Sequence, residues 1–272
     1  MGSPACASTT INNKHKDRYM NIVTKGERTS PKCIIYGMSG SGKSTIAATL
    51  PDVLFLDIEG GLSFIDGVAR NATKYTKLVD FCRDLMELVK TSAEPNFPYK
   101  YVVIDTVDWL SRLVVQQVAG NLGGKTLMDL FKDQENTVNK AGGGYGQGYQ
   151  MIENHVRNII LPALTKLNDN GVGIILLAHA EVKNVLEPDG TTLERVTPKI
   201  DQRTMNVYVE WADNLLYLMK EDSGDRKLIL ESTDSILAKN RIGLTGEVSL
   251  SSPGFSLHKL ITGQLATGAE TK

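Results

Sequence analysis

Residues 34 to 45 read Ile-Ile-Tyr-Gly-Met-Ser-Gly-Ser-Gly-Lys-Ser-Thr, and no other stretch constrains the fold as tightly. An apolar run enters the octapeptide Gly37-Met38-Ser39-Gly40-Ser41-Gly42-Lys43-Ser44, and a helical stretch follows. Glycines let the backbone curl until successive N–H groups point at one anion. The positive end of the next helix strengthens that field. The pattern G-x-x-x-x-G-K-S/T suits the phosphates of a nucleotide such as ATP: Lys43 reaches the β- and γ-phosphates, and the Ser44 hydroxyl sits on Mg²⁺. Nucleotide contacts are therefore expected from Gly37, Met38, Ser39, Gly40, Ser41, Gly42, Lys43, Ser44 and Thr45. The alternative is a Gly/Ser-rich surface turn, which the strand–loop–helix context disfavours.

The rest of the chain supplies the framework for such a loop. Its 272 residues, 41% hydrophobic and 22% charged, suffice for one large α/β domain. Short apolar runs predict buried strands at 32–36, 53–58, 101–105 and 173–178, the last ending at His179. Between them, 77–90 and 107–119 read as helices, and 150–168 as a long helix kinked at Pro162. The P-loop helix is short because Pro51 stops it. A short helix follows 203, and runs at 213–219 and 226–232 flank Ser223-Gly224-Asp225, which predicts a β-hairpin. Alternating strands and helices imply parallel βαβ units, so the fold class is α/β: a largely parallel sheet flanked by helices, with a C-terminal antiparallel hairpin. Residues 1–30 are expected to form a mobile polar arm or an oligomerisation segment, 31–250 the core, and 251–272 a frayed tail.

Charge and cysteines bound the setting. A net charge of −1 gives no global basic field, so any nucleic-acid contact must be a local patch. Cys6, Cys33 and Cys82 are odd in number and widely spaced, which suggests neither a zinc site nor a disulfide framework. Cys33 and Cys82 read as small buried residues. A reducing cytosol fits that usage. No apolar run reaches membrane-spanning length, so no membrane partner is expected.

Hydrolysis of ATP needs a carboxylate for Mg²⁺ and a group that activates water. Asp105 ends an apolar strand and is the metal candidate beside Ser44; an Asp that merely ends a strand is the alternative. Thr106 occupies the position after it, where many such enzymes place a glutamate. Asp108 points elsewhere if a helix begins at 107. Asp57 and Glu59 end another strand, and strand C-termini gather at one edge of an α/β sheet. Glu59 is thus the candidate for polarising water, against the plainer reading of a solvated loop glutamate.

Taken together these segments resemble the RecA-like P-loop NTPases over about residues 32 to 245. Phe55-Leu56-Asp57-Ile58-Glu59-Gly60-Gly61-Leu62 resembles the strand ending in that family's catalytic glutamate. Tyr101-Val102-Val103-Ile104-Asp105-Thr106-Val107 resembles its Walker B strand. Ile174 through His179 resembles the motif whose polar residue senses the γ-phosphate. The family often has Gln where His179 stands, and a strand-end histidine with a local hydrogen bond is the alternative. Ala238-Lys239-Asn240-Arg241 resembles the segment reaching a neighbouring protomer's nucleotide. Lys239 and Arg241 would then act in trans; a solvated pair at a strand end is the other reading.

The Gly-Tyr-Gly-Gln-Gly-Tyr stretch and the compact size resemble phage-encoded ATP-binding proteins of single-strand annealing and recombination. That resemblance implies single-stranded DNA as partner, self-assembly into a ring or filament, a single-strand-binding protein as a further partner, and a host-cytoplasmic location. It also places two DNA loops. The first, 120–149, is Gly-rich and offers Lys125, Lys132, Lys140, Tyr145 and Tyr149. The second, 181–203, offers Lys183, Arg195, Lys199 and Arg203. Cations can track phosphates and tyrosines can stack on bases. Acids such as Asp129, Glu135, Glu187 and Asp201 share these loops. Two other functions remain open: a replicative-helicase-like motor, and a regulatory or metabolic P-loop enzyme that binds no DNA. No Asn-Lys-x-Asp guanine motif follows the loop, and no arginine-rich lid is evident.

Overall fold

Strands that read as unbroken apolar runs form the centre of a parallel sheet, because both of their faces must be covered. The computed structural model describes residues 30–65, 69–71, 75–120, 138, 146–186 and 190–264. Its first half contains β1 (Lys32–Gly37), α1 (Lys43–Ala47), β2 (Val53–Asp57), a 3₁₀ turn (Leu62–Phe64), β3 (Ala69–Asn71), α2 (Leu78–Thr91), β4 (Tyr101–Asp105) and α3 (Val107–Gly120). Then come α4 (Gln147–His155), α5 (Leu161–Asp169), β5 (Gly173–Leu186), β6 (Thr192–Pro198) and α6 (Gln202–Trp211). The chain closes with β7 (Asn214–Lys220), β8 (Arg226–Ile229), β9 (Glu247–Ser249) and α7 (Leu257–Ile261).

The sheet order is β3-β2-β4-β5-β1-β7-β8-β9, with β6 paired to the outer half of β5. Pairing is parallel from β3 to β7 and antiparallel through β7, β8 and β9. The expected mostly parallel α/β sheet with a terminal hairpin is therefore the observed fold. Side-chain alternation sends Leu54, Leu56, Val102, Ile104, Ile174 and Leu176 to one face, against α2, α3 and α5. The opposite face presents Cys33, Ile35, Phe55, Val103, Ile175 and Leu177 to α1 and α7. Two apolar layers thus clamp the sheet and fix the level at which each strand ends.

Several expectations change. β5 does not stop at His179 but runs on to Leu186. Residues 180–186 pair antiparallel with β6, so the expected loop 181–203 is mostly a two-stranded arm followed by the start of α6. The reason is a period-2 pattern, Glu181 to Leu186, whose even positions are exposed and odd positions half-buried. The first expected loop also ends earlier. Gly146 takes φ 79° at the N-cap, and Gln147, Gly148 and Tyr149 already belong to α4. The long helix is divided by a π turn, Val156–Ile160, just before Pro162, whose missing N–H interrupts the usual ladder.

The stretch beyond 250 is a further difference. It holds α7, capped by Ser256 and with Leu257, Leu260 and Ile261 buried. Tyr101 and His258 join it to β4 through a 2.7 Å hydrogen bond between Oη and Nδ1. Apolar residues at 257, 260 and 261 give one helical face, and the surrounding Ser, Thr and Gly masked it. The packed body therefore continues past the boundary expected at 250. Among the described residues, no helix is long and apolar enough to cross a membrane.

Leu260→Ala should lower unfolding free energy by about 2–4 kcal/mol in a urea titration, the usual range for emptying a buried leucine site. A frayed tail would instead give a change within about 0.5 kcal/mol.

Candidate nucleotide site

The sheet register assembles the site. Gly37 pairs with His179, Asp57 with Asp105, and Asp105 with Leu177. β4 therefore ends two residues short of His179, and Glu59 stands two residues beyond Asp57. Glu59 and His179 lie at one level on strands separated by the end of β4. Their side chains meet across that gap, with His179 Nε2 3.8 Å from Glu59 Oε1.

The phosphate loop follows β1. Ser41 N–H donates to Met38 O at 3.1 Å, and Gly42 takes φ 95° at the N-cap of α1. Lys43 folds back, its Nζ donating to Gly37 O at 3.0 Å and Met38 O at 3.1 Å. The Gly42 carbonyl accepts from Ile46 N–H at 2.9 Å. Four loop carbonyls, those of Gly37, Met38, Ser41 and Gly42, are engaged within the protein. The amides of Gly40, Gly42, Lys43, Ser44 and Thr45 meet no protein acceptor among the described residues. The Ser41 hydroxyl is buried without a partner as well. Gly37 must lack a side chain: a Cβ there would lie 2.5 Å from Leu218 O and 2.7 Å from Ser41 Oγ. Unpaired amides, an orphan hydroxyl and a lysine fit a polyphosphate.

Alternation along β4 turns Asp105 to the α1 face, where Ser44 Oγ donates to Asp105 Oδ2 at 2.6 Å. One hydroxyl and one carboxylate suit a Mg²⁺ that also takes phosphate oxygens. Burial pushes the Asp105 carboxyl up to about 6; the Ser44 bond and Lys43 oppose this, and Glu59 and Asp57 reinforce it. Burial lowers the Lys43 pKa, against the pull of Asp105, Glu59 and Asp108. Asp57 serves the backbone: its carboxylate accepts from Gly60 N–H at 2.6 Å and Leu62 N–H at 3.4 Å. The amides of Ile58 and Glu59 both donate to Asp105 O, at 2.8 and 3.1 Å, which fixes the course of the chain at Glu59.

Asp108, expected to point elsewhere, belongs to the site. The helix does begin at 107, yet Asp108 is buried and turned toward β5. Its carboxylate accepts from His179 N–H at 3.2 Å and lies 3.0 Å from His179 Nδ1. Burial raises the Asp108 pKa, but its bonds from His179 outweigh that and hold it below the usual range. An ionised carboxylate only accepts, so Nδ1 carries a proton and Nε2 is aimed at Glu59. A polar helix-start residue in an otherwise apolar segment was the available signal; its partner 71 residues away was not visible.

Lys239 and Arg241 lie elsewhere. Lys239 Nζ donates to Val209 O at 2.7 Å and Ala212 O at 3.0 Å, closing the C-terminus of α6. Arg241 pairs with Asp213 at 3.2 Å, and Asp213 also accepts from Lys32 N–H. Both cations therefore sit by the start of β1, about 16 Å along the strand from their own phosphate loop. Of the DNA candidates, Lys125, Lys132, Lys140 and Tyr145 fall outside the described residues. Lys183 is tied to Glu181 at 2.9 Å, and Arg195 Nε donates to Asp234 O at 3.0 Å. Lys199 is exposed, and its amide donates to His179 O at 2.7 Å. Arg203 lies 4.3 Å above the Tyr149 ring, joining the ends of the two expected loops.

The raised Asp105 pKa makes a signed prediction for the nucleotide-free protein. The folded form holds its proton to about pH 6, while the unfolded chain releases it near 3.8. Asp105 therefore supports the fold below pH 4, and that contribution is lost as pH rises through 6. Asp105→Asn should flatten the slope of melting temperature between pH 4 and 7, and should melt above wild type at pH 7. A lower melting temperature for the variant at pH 7 would contradict this.

Comparison with known proteins agrees with the geometry. A family model described as AAA domain matches residues 29–242, well over half of the chain. A search of curated proteins gave no match. With a phosphate loop, a buried strand-end carboxylate and this match in hand, the chain belongs to the AAA domain family and is a P-loop ATPase.

Proposed function

We propose that the protein is a RecA-like, ATP-dependent single-stranded-DNA-binding protein of the phage recombination and annealing type, hydrolysing ATP between protomers. The observation that carries this reading is the double use of β5. Its inner half delivers His179 to the phosphate edge, and its outer half forms the β5–β6 arm. Lys199, just past the end of β6, has its amide bonded back to His179 O. A ligand on the arm and a γ-phosphate beside Glu59 thus bear on one strand. Arg203 stacked on Tyr149 lies next along the chain, and a planar cation–aromatic pair suits a flexible nucleotide strand.

In this reading Ser44 and Asp105 would hold Mg²⁺, which would supply positive charge against that of the phosphates. Glu59 takes the proton of the attacking water, and Asp108 fixes the His179 imidazole beside it. The loop amides and Lys43 orient the phosphates. Arg241 supplies the trans cation. It is half exposed, paired with Asp213 and donating at 3.3 Å to Glu210 O, whereas Lys239 makes shorter bonds of 2.7 and 3.0 Å to two carbonyls at the end of α6. Lys239 is thus better suited to holding that helix end.

Two experiments test the proposal. ATP turnover of the full chain should rise at least severalfold with single-stranded DNA, and the stimulation should fall steeply with added salt. No stimulation and no DNA binding at low salt would favour the metabolic alternative, and unwinding of a forked duplex would favour the helicase. Separately, Glu59→Gln should bind ATP within about threefold of wild type and lose turnover by 100-fold or more. Near-normal turnover would move the role to another carboxylate.

A further inference from the structure

We propose that Arg226 is a positioning residue of the phosphate loop, acting through the peptide between Ser41 and Gly42. This rests on the reading that the loop binds the phosphates of a nucleotide. β7 continues beyond β1: Tyr36 is the last β1 residue paired with it, opposite Tyr217, and β7 runs on to Lys220. The turn to β8 therefore reaches past the end of β1, and Arg226 opens β8 opposite Lys220. Arg226 shares strand parity with Leu228 and Leu230, both packed on the α1 side of the sheet. Its Nε donates to Ser41 O at 2.9 Å. A Cβ on Gly42 would lie 3.0 Å from that Nε and 3.6 Å from Cζ, so the guanidinium lies against the glycine.

The consequence follows from the planarity of the peptide. In a trans peptide the C=O of one residue and the N–H of the next point in opposite directions. Drawing the Ser41 carbonyl outward turns the Gly42 N–H inward, to the side where the loop leaves its amides unpaired. Thr45 N–H, which would take the Ser41 carbonyl in a continuing α-helix, makes no such bond. Arg226 replaces it and leaves the Thr45 amide free. No carboxylate pairs with Arg226 among the described residues, so its full charge adds to the field of the loop. A residue 185 positions away thus completes the anion nest.

The test measures binding of Mg·ATP, Mg·ADP and AMP to the full-length chain by titration calorimetry, with steady-state turnover alongside. Arg226→Ala should weaken ATP and ADP alike by about tenfold and leave AMP unchanged, because the loop grips the β-phosphate that both share. KM for ATP should rise by a similar factor while saturated turnover falls by threefold or less. Millimolar methylguanidinium should restore most of the lost affinity. Unchanged ATP and ADP affinity overturns the proposal, as does a loss confined to ATP, which would mean direct contact with the γ-phosphate. Loss without rescue overturns it in favour of general damage to the hairpin. If Arg226→Ala does not fold, Arg226→Lys keeps the charge but displaces the donor, and the parallel loss for ATP and ADP is read there. Wild type binding neither nucleotide overturns the nucleotide reading itself, and so is separable from failure of the Arg226 assignment.

Discussion

Parallel pairing in register is the constraint from which the site follows. Gly37 opposite His179, and Asp57 opposite Asp105 opposite Leu177, set where each strand ends. Because β4 turns into α3 directly after Asp105, a gap opens above it, and Glu59, His179 and Asp108 close around that gap. A one-residue slip of β2 would exchange the side chains on its two buried faces, so that neither set fits the layer packed against it. Leu54, Leu56 and Ile58 are packed on one face, and Val53 and Phe55 on the other. The positions of the polar residues are thus enforced by apolar packing several residues below them.

That packing also bears an electrostatic burden. Asp105 and Lys43 are almost fully buried, and each is pushed toward its neutral form. The site holds close carboxylates against one lysine, whose Nζ is bonded to the carbonyls of Gly37 and Met38. A polyphosphate with a divalent cation would offset each of these penalties: it would give Lys43 an anion, the amides acceptors, and Asp105 a positive partner. Binding sites commonly carry such buried charge, compensated by stability elsewhere. Here the compensation lies in the two apolar layers, including α7 beneath the sheet.

The sequence made the central strands and the phosphate loop legible because their signals are local. An unbroken apolar run has one stable location, and a glycine-rich turn before a lysine has a narrow set of uses. Glu59 was reached by elimination, from Thr106 standing where a carboxylate is common. What escaped was decided by distant partners. Asp108 looked misdirected until β5 brought His179 alongside it. The arm after His179 carries the signals of a loop, because Pro188-Asp189-Gly190 and the surrounding charges outweigh the weaker alternation from Glu181 to Leu186. Val182 and Leu186 are well exposed on that arm, so burial offered little pattern to read. Arg226 had no local signal at all, since its partner is a carbonyl on another strand's loop.

β7 connects the two halves of the proposed intersubunit site. At its start, Leu215 exchanges backbone hydrogen bonds with Lys239, and Asp213 just before it holds Arg241. At its far end Leu218 O packs against Gly37, and the following hairpin sends Arg226 to Ser41. The strand is short, hydrogen-bonded on both edges, and buried along most of its length. Such an element transmits displacement rather than absorbing it. If a neighbouring nucleotide draws Arg241 away from Asp213, the change arises at the start of the strand whose end supports this protomer's own phosphate loop. Assembly and nucleotide grip would then be linked through a single strand, without any loop moving far.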